Sequence, residues 1–307
     1  MTALKAYQLS GRGYLKVSGE DRVSFLQGLV SNDVEKVTAT SAGYGALLTP
    51  QGKFLFDFFM IEIGDALLIE TEADRIGELY RKLRMFKLRS KVELEVIEDT
   101  YATLSVTSAE AFASLGLPAE KGTACALDNG IAFVDPRLVE LGARLILPTD
   151  AVAEALGKLG AELAPEEGYH LHRIRLGVPD GSKDMVLDKT VLLEAGFEEL
   201  GGVDFQKGCY MGQELTARTK YRGLVKRRLL PVEIDGPAPD AGAEILLNDK
   251  EAGELRSTVA TEDGKTAGIA MIRLNRLSES EEAGIALKVG EATVTPFKPA
   301  WAKFQTS

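Results

Sequence analysis

Apolar and polar positions along residues 1–97 switch between the two-residue period of strands and the 3.6-residue period of helices. Tyr14–Val17 reads as a short strand. Ser18-Gly19-Glu20-Asp21 then supplies a helix cap with acids in the first turn, ahead of Val23, Phe25, Leu26, Leu29 and Val30. Gly45–Thr49, a Pro50-Gln51-Gly52 turn and Lys53–Ile63 have the pattern of a β-hairpin, whose second arm is rich in aromatic and β-branched residues. Ala66–Glu70 predicts another strand. Asp74–Phe86 carries Ile76, Leu79, Tyr80 and Leu83 on one helical face, and Val92–Ile97 returns to strand.

Residues 100–165 form a second, similar stretch. Strands at Thr103–Thr107, Ile131–Val134 and Arg144–Leu147 flank helices at Ser108–Leu115 and Thr149–Leu159. This order predicts an α+β class with mainly antiparallel sheets rather than a doubly wound one. Pro165-Glu166-Glu167 opens a helix that runs through Leu176 and ends at Gly177. Residues 178–205 lack periodicity, and such a segment inside a compact protein is usually functional or flexible. From Val225 onward, short strands separated by turn residues at about ten-residue spacing predict a small β-barrel or sandwich. The expected domains are therefore 1–224, with two α+β subdomains at roughly 1–97 with 166–224 and at 98–165, and a C-terminal β-barrel at 225–307.

Composition narrows the chemistry. The 307 residues carry 36 Lys and Arg against 46 Asp and Glu, a net charge of −10, so the chain as a whole is not built to coat nucleic acid. Its soft ligands are Cys125, Cys209, His170 and His172. That count excludes a disulfide framework, a zinc ribbon and a self-contained four-cysteine iron–sulfur site. His170 and His172 lie two apart on a helix and point to different faces, so no resident metal is expected; Cys125 reads as a packed core residue. No run approaches the ~18 apolar residues of a membrane span. The opening segment has no apolar export core, which with free cysteines predicts a cytoplasmic location.

The densest chemical signal is Lys207-Gly208-Cys209-Tyr210-Met211-Gly212-Gln213-Glu214, followed by Leu215-Thr216-Ala217-Arg218. Gly208 and Gly212 allow close backbone approach or positive φ. Lys207 and a helix starting near Gly212 would both favour the Cys209 thiolate, while Gln213 and Glu214 would lie in the first helical turn. The residues alone leave open a plain alternative, in which Cys209 is a small buried apolar residue and the glycines only shape a turn.

This octet closely resembles the signature of the YgfZ family, folate-binding relatives of the glycine-cleavage T-protein whose mitochondrial counterparts, the Iba-type proteins, assist assembly of four-iron, four-sulfur clusters. Phe25–Val34, Leu48–Asp57, Arg173–Pro179 and Leu192-Leu193-Glu194 are similar to family segments in the same order, so the likeness spans roughly residues 10–230. It implies three subdomains in a ring around a folate-sized channel, with a small C-terminal β-barrel. The resemblance further implies Cys209 and Lys207 as the functional pair, supported by Gly208, Tyr210, Gly212, Gln213 and Glu214. It makes Asn32 and Asp33 channel-wall residues, or else a helix-ending turn. Glu194 becomes the acceptor for the pterin ring's N–H groups, or else a surface acid, and Asp57 and Arg218 are placed near the folate.

T-proteins carry two neighbouring acids in the hairpin's second arm, whereas Leu55-Phe56-Asp57-Phe58 has one, and they lack the motif cysteine. The resemblance therefore implies a tetrahydrofolate-binding accessory factor for assembly or repair of four-iron, four-sulfur clusters, including those of tRNA-modifying enzymes. Its expected partners are iron–sulfur assembly proteins and client enzymes, with no membrane and no direct nucleic acid, and a monomeric state is expected. The alternatives are a folate-dependent aminomethyl- or methyltransferase, and an RNA-binding module using Arg218, Lys220, Arg222, Lys226, Arg227 and Arg228.

Overall fold

The computed structural model describes residues 4–97, 100–128, 130–223, 225–236 and 239–304. The expected boundary residues 98 and 224 lie outside the described residues, as do the chain ends. The chain separates into two compact units. The first comprises 1–51, 55–169 and 200–213, and the second 52–54, 170–199 and 214–307.

Among the described residues the first unit holds two sheets. One is five-stranded, in the order Gly43–Leu48, Phe54–Ile63, Ala66–Glu72, Arg12–Ser18 and Glu93–Ile97. The first eight residues of Phe54–Ile63 are all buried, which is why this strand reads as a continuous apolar run rather than an alternation. The helix Ile76–Lys87 buries Leu79 and Leu83 in a core with Leu15, Val17, Phe56 and Ile69. The other sheet is six-stranded, in the order Ala161–Ala164, Leu4–Leu9, Tyr101–Val106, Ala143–Pro148, Gly130–Val134 and Ala124–Leu127. It is antiparallel except where Leu4–Leu9 runs parallel to Ala161–Ala164. Gly142, at φ +86°, enters Ala143–Pro148 where an added Cβ would stand 2.1 Å from the Val106 carbonyl oxygen, so only glycine fits.

In the second unit, six strands close a barrel in the order Arg227–Asp235, Thr266–Arg273, Lys250–Ala260, Glu244–Leu247, Leu287–Val289 and Ala292–Pro296. Leu230, Val232, Ile245, Leu255, Ile272 and Val294 fill it. The irregular segment after the helix Glu167–Arg175 is anchored to this barrel by a buried ion pair. Arg173 donates to Asp184 at 2.7 Å, to the Val178 carbonyl at 3.2 Å and to the Ser257 hydroxyl at 3.0 Å. Asp184 accepts the Ser257 hydroxyl in turn at 2.6 Å. Ordering a periodicity-free stretch thus falls to a few charge-assisted bonds rather than to an apolar face.

The pattern reading needs four corrections. Asp21 does not cap the helix Arg22–Gln27: its carboxylate accepts the Lys91 N–H at 2.7 Å, and the first turn holds no acid. The strand Leu4–Leu9 and its parallel partner Ala161–Ala164 leave no clear pattern, because both are short and each carries a charge, Lys5 and Glu162. Cys125 lies in the edge strand Ala124–Leu127 and is half-buried, packed against the core rather than within it. The helix Leu274–Ala283 was missed because it buries Leu277 alone.

Candidate functional site

The motif forms a loop whose shape is set by Asp204. One carboxylate oxygen accepts the N–H groups of Gln206 at 2.7 Å and Lys207 at 3.1 Å, an Asx-type turn. The other accepts the Lys36 ammonium at 2.5 Å. Desolvation acts to raise the Asp204 carboxyl, but Lys36 and the two N–H groups outweigh it and hold the group below the usual carboxylate range.

The loop is fastened to Phe25–Val34, another family-like segment of this unit. Buried Ser31 donates its hydroxyl to the Gly202 carbonyl at 2.6 Å and accepts the Ala46 N–H at 2.8 Å. Asn32 spends both amide hydrogens on the carbonyls of Tyr44 and Gly201, at 2.7 and 2.8 Å. Its oxygen accepts the Asp33 N–H at 2.8 Å. Asp33 takes the Gln27 amide at 2.8 Å and the Glu35 N–H at 3.2 Å. Lys207 donates to the carbonyls of Val30 at 2.8 Å and Asn32 at 2.6 Å, with its ammonium 5.4 Å from the centroid of the Tyr210 ring. Burial pushes this ammonium down to about 8, against the opposing pull of Asp33, Asp204 and Glu35.

Beyond Lys207 the chain turns outward. Gly208 has open space where a side chain would stand, and Cys209 beside it is exposed. Tyr210 returns to the interior and donates its N–H to the Gln213 side chain at 3.2 Å, and Met211 donates to the Gly28 carbonyl at 3.1 Å. Gly212, at φ +81°, then leads into the helix Gln213–Tyr221, which has Glu214 in its first turn. The reading of Cys209 as a buried apolar residue is thereby removed. The geometry is that of a bare thiol between two residues held by the core.

The other candidate residues are distributed over both units. In the first, Asp57 is buried and accepts the Tyr44 hydroxyl at 2.8 Å. Burial and then the Asp57 charge push that hydroxyl well above its ordinary range, so it stays protonated as a donor. In the second, Glu194 accepts Arg227 at 2.7 and 3.4 Å through its two oxygens and the Val191 N–H at 3.1 Å. Lys220 pairs with Glu198 and Arg228 with Glu199, each at 2.8 Å. Three of the six cations in the basic run therefore face acids of the same unit, while Arg218, on the helix Gln213–Tyr221, makes no ion pair among the described residues.

Sequence reasoning missed a buried polar layer of the first unit. Arg144, 2% exposed, donates to Glu70 at 2.6 Å and to the Tyr169 hydroxyl at 3.2 Å. Arg137 pairs with Asp135 at 2.8 Å, and Arg12 joins Glu70 at 2.7 Å. The guanidinium carbons of Arg144 and Arg137 lie 4.2 and 4.8 Å from the Phe59 ring centroid. The available signal was a charge set within each apolar strand, Glu70 in Ala66–Glu72 and Arg144 in Ala143–Pro148. Among the described residues no group of three or more His, Cys, Asp or Glu is placed to hold a metal ion, and no helix is long and apolar enough to cross a membrane.

Residues 226–304 match the model of the C-terminal β-barrel domain of CAF17. The human mitochondrial iron–sulfur cluster assembly factor IBA57 is 32% identical over 281 residues, which cover 87% of this chain and 74% of the human protein. The chain belongs to the IBA57 family of iron–sulfur cluster assembly factors.

A Neurospora crassa IBA57 homolog is likewise 32% identical, over 77% of this chain. The chain spans only 56% of that relative's length and 66% of that of the Neosartorya fischeri homolog. In fold, this IBA57-family chain matches the glycine cleavage system aminomethyltransferase T of Bartonella henselae with a TM-score of 0.77, at 16% identity, over 98% of this chain and 87% of the other. The expected α+β class with a T-protein-like fold and a small C-terminal barrel therefore holds. The cytoplasmic location expected from the opening segment does not stand: the IBA57 relatives from Neurospora crassa, Neosartorya fischeri, human and mouse are all described as mitochondrial.

Proposed function

We propose that this chain is an accessory factor for assembly or repair of four-iron, four-sulfur clusters in client enzymes, tRNA-modifying ones among them, and that Cys209 is its working thiol. The observation that carries the reading is the exposed Cys209 between a half-buried, hydrogen-bonded Lys207 and a buried Tyr210. A thiol held this way loses little conformational freedom when it forms a bond. Its sulfur gives one sulfur–iron bond by displacing one ligand of the cargo cluster, and the thiol proton passes to solvent or to the departing ligand. The cluster is cargo, because one motif cysteine per chain leaves its remaining ligands to a partner. Membership of the IBA57 family supports the same reading.

Tetrahydrofolate, or a one-carbon derivative of it, belongs to the proposal as a ligand of the aminomethyltransferase-like fold, with Asn32, Asp33, Asp57, Glu194 and Arg218 as its contacts. As they stand the side chains do not fit it. Glu194 already accepts three hydrogen bonds of the roughly four that a carboxylate takes, so it cannot receive two pterin donors side by side unless Arg227 leaves. Asn32 has both amide hydrogens committed. Aminomethyl transfer draws less support, since the lone hairpin acid Asp57 is buried under the Tyr44 hydroxyl. RNA binding draws less as well, because half of the basic run is already paired.

The test is complementation of a strain lacking its endogenous factor, scored by the activity of a four-iron, four-sulfur enzyme. Wild type restores that activity, Cys209→Ala does not, and Lys207→Ala restores it only in part. Full rescue by both variants overturns the role given to the motif.

A further inference from the structure

Outside the basic run at 218–228, the chain departs from its acidic balance at the end of the helix Ile76–Lys87 and the turn after it. Residues 81–91 carry Arg81, Lys82, Arg84, Lys87, Arg89 and Lys91, with no acid between Glu78 and Glu93. Lys82 pairs loosely with Glu78 at 3.7 Å and Lys91 with Glu20 at 2.7 Å, whereas Arg81, Arg84, Lys87 and Arg89 make no ion pair among the described residues. Three large apolar side chains stand in the same patch: Met85 is 74% exposed, Leu88 88% and Phe86 38%. The helix buries Leu79 and Leu83, so Arg81, Arg84 and Met85, at i, i+3 and i+4, form a stripe on its outer side, and exposed Leu88 follows directly at the helix end. Leu88 holds φ +42°, a conformation a leucine rarely adopts, and it does so with its side chain in solvent.

We infer that this surface docks an acidic segment of a partner protein that also carries apolar anchors. Arginine, methionine and phenylalanine are the residue types enriched at protein interfaces, and the arginine fork matches carboxylates bidentately. On a chain of net charge −10 the patch is a local positive field, which orients an acidic partner toward this face. An anionic bilayer or RNA would use the same cations, and the test separates them.

The full chain is titrated by fluorescence anisotropy with a labelled peptide of glutamates and aspartates that carries leucine and phenylalanine at helical spacing. The peptide binds, and its glutamine counterpart binds at least about tenfold more weakly. Arg81→Glu with Arg84→Glu, and separately Met85→Ser with Leu88→Ser, each weaken binding by about tenfold, a change of about 1.4 kcal/mol. All four positions lie on the outer face, so unchanged circular dichroism keeps the comparison fair. The inference is overturned if the peptide does not bind or if neither pair alters its binding. Binding of phosphatidylserine vesicles or single-stranded RNA, lost in these variants while the peptide is ignored, overturns it equally.

Discussion

Arg144→Met tests whether the buried polar layer of the first unit is held by its charges. The substitution roughly keeps the side-chain volume but removes a guanidinium that is 2% exposed and bonded to Glu70, itself fully buried. Breaking one side of a buried ion pair typically costs about 3–5 kcal/mol, because the surviving charge stays out of water. Here each acid keeps a second cation, Arg12 on Glu70 and Arg137 on Asp135, so the expected loss lies near the lower end, about 3 kcal/mol. Glu70→Gln combined with Arg144→Met should cost less than the sum of the two single changes, since the two side chains are partners and only Arg12 is left without its carboxylate. Urea denaturation at pH 7 gives these values. The pH dependence carries a sign. Desolvation acts to raise Glu70 and Asp135, yet the guanidiniums hold both below the usual carboxylate range. Their contribution is therefore complete above the unfolded carboxylate value of about 4 and declines as pH falls through the folded values. The gap between wild type and Arg144→Met should shrink over that window. A loss under about 1 kcal/mol at pH 7, or a gap that widens in acid, would refute the reasoning.

Two further predictions concern the motif and the barrel entrance. Because the Lys207 ammonium is pushed down to about 8, folding releases its proton between that value and the unfolded value of about 10.4; wild type should gain stability over Lys207→Met as pH rises from 8 to 10 in chemical denaturation, and a flat difference would count against a desolvated ammonium. Arg227→Ala frees Glu194, so calorimetry should find tetrahydrofolate bound more tightly than by wild type, with binding lost in Glu194→Ala; weaker binding in Arg227→Ala would instead make the arginine a direct contact.

What could be read beforehand was whatever local periodicity and turn chemistry specify. The hairpin around Gly52, the helix over Ile76–Lys87 and the barrel strands each leave a pattern within about ten residues. The octet was legible too, as was the helix that follows Gly212. Pairings made across long stretches of chain were not. Glu70 meets Arg144 across 74 residues, and Lys207 reaches the Val30 carbonyl across 177. No spacing rule couples such positions, so Lys207 read as a neighbour of the thiol, whereas its ammonium bonds to two backbone carbonyls. The basic run looked like a surface for a ligand because the acids that neutralise half of it, Glu194, Glu198 and Glu199, lie some thirty residues earlier. Burial was hardest to read just past a helix end, as at Leu88, where the helical period no longer applies and an apolar side chain stands 88% exposed.

The central claim is that the Cys209 thiol takes part in delivering a cluster to a client. Its most direct measurement is anaerobic reconstitution of an apo four-iron, four-sulfur enzyme with a fixed cluster donor, in the presence of wild type or of Cys209→Ala matched for folding by circular dichroism. Wild type should accelerate recovery of client activity, and Cys209→Ala should leave it at the rate of the donor alone. Equal acceleration by the two proteins would contradict the account.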